Sequence, residues 1–230
     1  MDKIIVIIPA RSGSKSLPNK NILPLNDKPL LCYSVDYALT CKSVNKVVVS
    51  TDSEYIASIA KECGAEAPFL RPSEYSQDST RDYPVIKHAL NYFDAIDELF
   101  DIYILLRPTS PMRPSGLIEK AIAILAENPS ASSVRSVAKI KEHPYRAWRI
   151  ASNGSMKGYV DGIEESYNIP RQELPDIYLQ TGDIEAIRRE TLLNRSVSGG
   201  SVYPLIIEHD EMVDIDNIID FKNAEIKLKT

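Results

Sequence analysis

Residues 4 to 8 read Ile-Ile-Val-Ile-Ile. Five β-branched side chains in succession are stiff about χ1 and crowd a helix, and a run without polar alternation suits a strand covered on both faces. Such a strand belongs in a parallel sheet between helical layers. Helical apolar spacing predicts helices over 29–40, 53–63 (with Gly64 as C-cap), 82–99 and, capped by Ser115, up to about 127. Strands are predicted at 46–50, 67–70, 102–106 and 131–137. The alternation implies a three-layer α/β domain with a mainly parallel sheet. From Lys139 to about residue 180 the pattern breaks; Tyr145, Trp148, Tyr159, Tyr167 and Tyr178 cluster there, and the stretch reads as an inserted lobe.

At 230 residues and 43% hydrophobic content, one globular domain is expected. The net charge of −5 argues against a nucleic-acid partner or an anionic membrane, so any phosphate site must be a local basic pocket. No apolar run approaches the roughly 20 residues of a membrane span, and the first strand starts too early for a signal peptide; a cytoplasmic protein is expected. Cys32, Cys41 and Cys63 are far apart and lack histidines at ligand spacing, so reduced, mostly buried thiols are expected and a zinc site is not.

The first strand runs into Pro9-Ala10-Arg11-Ser12-Gly13-Ser14-Lys15, followed by Lys20-Asn21. Small residues let backbone N–H groups approach a ligand, and Arg11, Lys15 and Lys20 can neutralise phosphate. The spacing matches neither G-x-x-x-x-G-K-[ST] nor G-x-G-x-x-G. Solvated surface charge is the alternative reading. In an open α/β sheet, ligands bind beyond the carboxyl ends of the strands, which directs attention also to Ser50, Arg71 and Arg107. Pro108, Pro111 and Pro114 stiffen the loop after Arg107. Near the C-terminus, Asp214 and Asp216 stand at i and i+2; in an extended segment they project to one side, about 7 Å apart, and suit Mg²⁺ held jointly with phosphates. Asp216 as a helix N-cap is the competing reading.

The run IIPARSGSKSLPNKN, together with LLRPTSPMR, PRQELP and DID, resembles the cytidylyltransferases that activate acidic nine-carbon sugars: the CMP-sialic acid synthetases and their legionaminic and pseudaminic acid relatives. The resemblance implies a nucleotide-diphospho-sugar transferase type of fold. It implies transfer of a cytidylyl group from CTP to a nonulosonic acid with Mg²⁺, in a homodimer serving cell-surface polysaccharide synthesis. By position, Arg11, Ser12, Gly13, Ser14, Lys15, Lys20 and Asn21 inherit nucleotide-binding roles, as do Arg71, Ser79 and Arg107. Arg171 and Gln172 inherit the sugar site, with Thr181 and Asp183 beside it. Asp214 and Asp216 inherit the metal, and catalysis falls to these two with Arg11 and Lys15. The lobe at about 139–180 inherits the role of a dimerisation arm reaching the neighbouring subunit's site.

Two departures stand out. Relatives carry glutamine, which contacts cytosine, where this chain has Arg107. They also carry an N-G-A-I-Y type strand where this chain reads Thr181-Gly182-Asp183-Ile184-Glu185. Asp183 and Glu185 bear on the sugar site or the metal, or are outward-facing surface carboxylates. A related nucleotidyltransferase using another base or a sugar phosphate, or a non-catalytic nucleotide-binding module, stays open at this point.

Overall fold

The structure, a computed structural model, describes residues 2–14, 17–208 and 213–229. Strand β1 (Ile4–Pro9) is the expected first strand, and its residues 4–8 are all buried. Alternate side chains face opposite layers. Ile4, Val6 and Ile8 pack with α1 (Leu30–Thr40), α2 (Glu54–Glu62) and α4 (Leu117–Glu127). Ile5 and Ile7 pack with α3 (Asp82–Ala95) and α5 (Arg189–Leu193). Full burial of each such side chain contributes about 1.5–3 kcal/mol, which explains why no position in the run is polar.

The main sheet has six strands in the order β10 (Val202–Ile206), β6 (Ser133–Lys139), β9 (Tyr178–Arg188), β5 (Ile102–Leu105), β1 and β4 (Lys46–Ser50). Val6 lies opposite both Val47 of β4 and Ile104 of β5, in parallel. Strand β9 runs antiparallel between β5 and β6, so five strands share one direction and one opposes them. The three-layer α/β expectation holds. Pro204, which lacks an N–H for a ladder, sits on the edge strand β10. Helix α6 (Ile218–Lys227) packs through Phe221 and Ala224 on Leu25, Leu30 and Ile215.

Local details depart from expectation. Residues 67–70 form no strand; two isolated parallel bridges, Val48 to Glu66 and Thr51 to Leu70, are all that pairs there. Helix α3 stops at Ala95, because the chain turns at Asp97 with φ +59°. Gly116 (φ +76°), not Ser115, is the N-cap of α4. Pro24–Leu25 (β2) and Lys28–Pro29 (β3) form an unforeseen hairpin, with Asn26 and Asp27 both at positive φ as a tight primed turn requires. Cys32 and Cys63 are bonded to each other, contrary to the expected thiols: packing of α1 on α2 sets their Cα atoms 5.7 Å apart. Cys41 is the free, buried thiol.

The stretch between β6 and β9 is mostly irregular. It holds a hairpin of β7 (Trp148–Ile150) and β8 (Met156–Gly158), with Trp148 stacked on Tyr167 at 4.0 Å between ring centroids. Ile150, Met156, Tyr159 and Leu179 are exposed.

A paired substitution tests the loop entering β10. A Cβ at Gly199 (φ +70°) would stand 2.2 Å from Ser132 Cβ, whereas one at Gly200 meets nothing within 4 Å. Gly199→Ala is expected to cost about 2–3 kcal/mol through clash and backbone strain. Gly200→Ala should stay within about 0.5 kcal/mol, both read from urea unfolding midpoints.

Candidate active site

The chain leaves β1 toward β4 on one side and returns as β5 on the other, which opens a crevice at their carboxyl ends. A cavity of about 340 Å³ occupies it. Arg11, Ser14, Lys20 and Asn21 line one part, Arg71, Tyr75, Thr80 and Asp82 another, and Arg107, Thr109 and Asp216 close it.

The loop after β1 is held by its neighbours. Ser12 donates its backbone N–H to Asp52 Oδ1 and its hydroxyl to Oδ2, both at 2.8 Å. Asn21 Nδ2 donates to the Arg11 carbonyl at 3.0 Å, and Arg11 itself donates to the Gly13 carbonyl. Arg11 Nη2 also meets Asp78 Oδ1 at 2.5 Å. Arg71 is 4% exposed and donates through Nε to Ser76 Oγ. Its burial pulls its pKa down; Asp52 opposes that shift and Arg11 adds to it. Two cations thus share one wall beside a carboxylate that offsets their repulsion.

The opposite wall is built from the proline-stiffened loop and β9. Arg107 Nη2 sits 2.6 Å from Asp82 Oδ2 and 2.8 Å from Glu185 Oε1. Burial works against the Arg107 charge, but Glu185 and then Asp82 override it and hold its pKa up. Glu185 is fully buried and also meets Arg135 Nη2 at 2.8 Å. Arg113, half-buried behind the loop, donates to the Asp183 and Arg107 carbonyls and to Ser34 Oγ. Burial lowers its pKa to about 10.

Asp214 and Asp216 flank the buried Ile215, whose N–H donates to the Thr109 carbonyl at 2.9 Å. Lys20 Nζ donates to the Ile215 carbonyl at 2.7 Å and lies 3.5 Å from Asp216 Oδ1. Asp214 is exposed as a residue, yet its carboxyl turns inward: Oδ2 lies 4.0 Å from where a Cβ at Gly182 would stand. Desolvation first, and then Asp216, push its pKa up, against a Thr109 hydrogen bond that lowers it. Two hard oxygen donors that repel each other fit a divalent cation. Among the described residues no third His, Cys, Asp or Glu joins them, so such a cation would take its remaining ligands from substrate and water, as Mg²⁺ commonly does. Asn217, through a capping box with Asp220, and not Asp216, caps α6.

The fold therefore gathers Arg11, Ser14, Lys20, Asn21, Arg71, Arg107 and Asp216 around one cavity, with Ser12 in the loop that carries Arg11 and Gly13 accepting from that arginine. Lys15 lies outside the described residues. Ser79 is exposed and off the wall, where Thr80 stands instead, and α3 is capped at Arg81 rather than by Asp78 or Ser79. Arg171 and Gln172 are exposed in the lobe and do not line this cavity. Thr181 is buried and donates to Ser136 Oγ. Asp183 is 2% exposed, with Oδ1 unpartnered among the described residues, and burial pushes its carboxyl pKa up. Neither Asp183 nor Glu185 is a surface carboxylate. Asp52 and Asp82 were not singled out from sequence as site residues; the polar Ser50-Thr51-Asp52-Ser53 run at a strand's carboxyl end was the signal for the first.

The chain matches the family model described as cytidylyltransferase over residues 5–215. It is 35% identical over 222 residues to the N-acylneuraminate cytidylyltransferase of Escherichia coli O18:K1:H7, covering 96% of this chain and 51% of that protein. The chain thus spans about half the length of that relative. It is 34% identical over 225 residues to the CMP-N,N'-diacetyllegionaminic acid synthase of Legionella pneumophila, covering 97% of this chain and 95% of that protein. In fold it is similar to a solved CMP:2-keto-3-deoxy-manno-octonic acid synthetase complexed with CTP, with a TM-score of 0.73 at 18% identity, over 99% of this chain and 98% of that one. A match this long, on a cavity that joins a basic loop to Asp216, settles the family: the chain is a member of the cytidylyltransferases.

Proposed function

We propose that the protein transfers a cytidylyl group from CTP to the anomeric hydroxyl of a nonulosonic, sialic-acid-like acid, releasing pyrophosphate. The observation that carries this reading is the cavity that faces Arg11, Lys20 and Arg71 with Asp216, in a chain whose relatives over nearly its full length are named for acylneuraminic and legionaminic acids. The sugar hydroxyl attacks the α-phosphorus while the bond to the β-phosphate oxygen breaks, so the protein's work is positioning and charge neutralisation. Arg11 and Lys20, with Lys15, hold the triphosphate, and Arg11 exchanges its contact with Asp78 for phosphate. Asp214 and Asp216 would hold Mg²⁺, which when bound supplies further neutralisation of the triphosphate. Asn21 keeps Arg11 in place through its carbonyl. Arg107 is committed to Asp82 and Glu185, and its remaining donors suit a base with acceptors, as cytosine has at O2 and N3.

We assign the sugar carboxylate to Arg171. Its place in an exposed lobe, off this chain's own cavity, supports a homodimer in which each lobe serves the neighbouring subunit. The exposed Ile150, Met156, Tyr159 and Leu179 supply apolar surface for that contact. The cytoplasm, where CTP is made, and cell-surface polysaccharide synthesis complete the reading.

The direct test is pyrophosphate release with Mg²⁺, presenting CTP, GTP and UTP with a panel of nine-carbon sugar acids and Kdo. Release with CTP and one acid is expected. Release with GTP alone moves the base assignment, and silence from folded protein points to a sugar phosphate acceptor or a non-catalytic module. Asp216→Ala should lower turnover by at least about 10²-fold. It should leave the unfolding midpoint unchanged, since the side chain is 76% exposed. In light scattering the protein should run at twice its monomer mass. Ile150→Asp with Leu179→Asp should give monomers that keep CTP binding and lose turnover.

A further inference from the structure

Asp52 is not among the described residues that line the cavity, yet it anchors the basic wall from behind. Its two carboxyl oxygens are both occupied by one residue, the backbone N–H and the hydroxyl of Ser12, at 2.8 Å each. This bidentate contact bridges 40 residues, from the loop after β4 to the loop after β1. Thr51, buried next to it, accepts from the Ser53 N–H, and Ser53 caps α2 through Ile56 N. Asp52 is therefore anchored on a rigid strand-to-helix turn, while Ser12 is in a loop that has no regular pairing of its own. The same carboxylate supports the charge of buried Arg71, which Arg11 opposes.

Electrostatics makes this placement costly unless it serves the site. A fixed negative charge near a triphosphate subsite repels the ligand, and a neutral acceptor would spare that repulsion. What a carboxylate offers in return is a two-pronged acceptor, strong enough to define the course of residues 11–14, and a counter-charge that lets Arg11 and Arg71 share one wall. A loop ordered before the ligand arrives saves the ordering entropy that binding would otherwise carry.

We propose that Asp52 is the positioning residue of the triphosphate subsite: it sets the Ser12 loop, and keeps Arg11 beside Arg71, ahead of nucleotide binding. The inference rests on the reading of the cavity as a nucleoside triphosphate site.

The test is calorimetric titration with CTP in Mg²⁺, with cytidine measured by competition against CTP, on the wild-type protein and on Asp52→Asn, Ser12→Ala and the double variant. Asp52→Asn keeps the volume but loses the charge and one acceptor. It should weaken CTP by about 10- to 100-fold, the worth of one charge-assisted hydrogen bond. Cytidine should change by less than about threefold and the melting temperature by a few degrees at most. Ser12→Ala, which removes one of the two bonds, should show the same selective loss at about three- to tenfold. In the Asp52→Asn background it should add little, because the two residues act through one contact. Where sugar turnover is measurable, the KM for CTP should rise with the KM for the sugar acid unchanged. Equal losses for CTP and cytidine, or no loss of CTP, overturn the proposal. If Asp52→Asn does not fold, Ser12→Ala decides by the same criterion. A wild-type protein that binds GTP and not CTP overturns the base assignment alone, and the Asp52 effect is then read on GTP against guanosine. One that binds no nucleoside triphosphate overturns both.

Discussion

The structure depends on β1 being buried on both faces. Because Ile4, Val6 and Ile8 meet one helical layer and Ile5 and Ile7 the other, the strand has to lie in the middle of the sheet. Its carboxyl end must then open into a crevice between two neighbours. That single packing requirement puts the Ser-Gly loop, the end of β4 and the end of β5 side by side. It explains why residues as distant in sequence as Ser12, Asp52 and Arg107 belong to one site.

The second constraint is charge. A chain of net charge −5 builds a basic cavity by giving almost every cation there a local carboxylate: Arg11 with Asp78, Arg71 near Asp52, Lys20 with Asp216, Arg107 with Asp82 and Glu185. The carboxylates differ in what a phosphate can displace. Asp78 is partly exposed on a loop, whereas Glu185 is fully buried in the antiparallel strand and clamped by two arginines. Exposed pairs exchange partners at small cost; a buried pair resists, since breaking it strands a charge in low dielectric. Arg107 is accordingly fixed in place, whereas the part-exposed Arg11–Asp78 pair can open at small cost.

Strand β9 backs the wall that carries Arg107. It crosses the parallel sheet in the opposite direction, and its register with β6 shifts between Arg135 and Val137. That irregularity brings Gly182 against Ser110, Arg107 and Asp214 and turns Asp183 inward. A side chain at Gly182 would press Ser110 Oγ at 3.0 Å, so the close approach of the proline-stiffened loop to β9 depends on glycine there.

Much was legible in the sequence because it is local. The β-branched run, the helical spacings and the small-residue loop are consequences of side-chain shape and backbone freedom acting over a few residues, and they pointed to the three-layer fold and to a wall carrying Arg11, Ser14, Lys20 and Asn21. The two-residue periodicity of an extended segment placed Asp214 and Asp216 together. The tertiary structure alone decided the rest. Whether Asp183 and Glu185 are surface or core depended on β9 entering the sheet's interior, an event of long-range pairing. The Cys32–Cys63 bond depended on how two helices pack, and whether Ser79 or Thr80 met the cavity depended on a loop's path. Asp52 was legible as a polar residue at a strand's end, but its contact with Ser12 spans 40 residues and exists only when two parallel strands lie side by side. Local sequence sets which shapes a segment can take; only packing sets which charges meet.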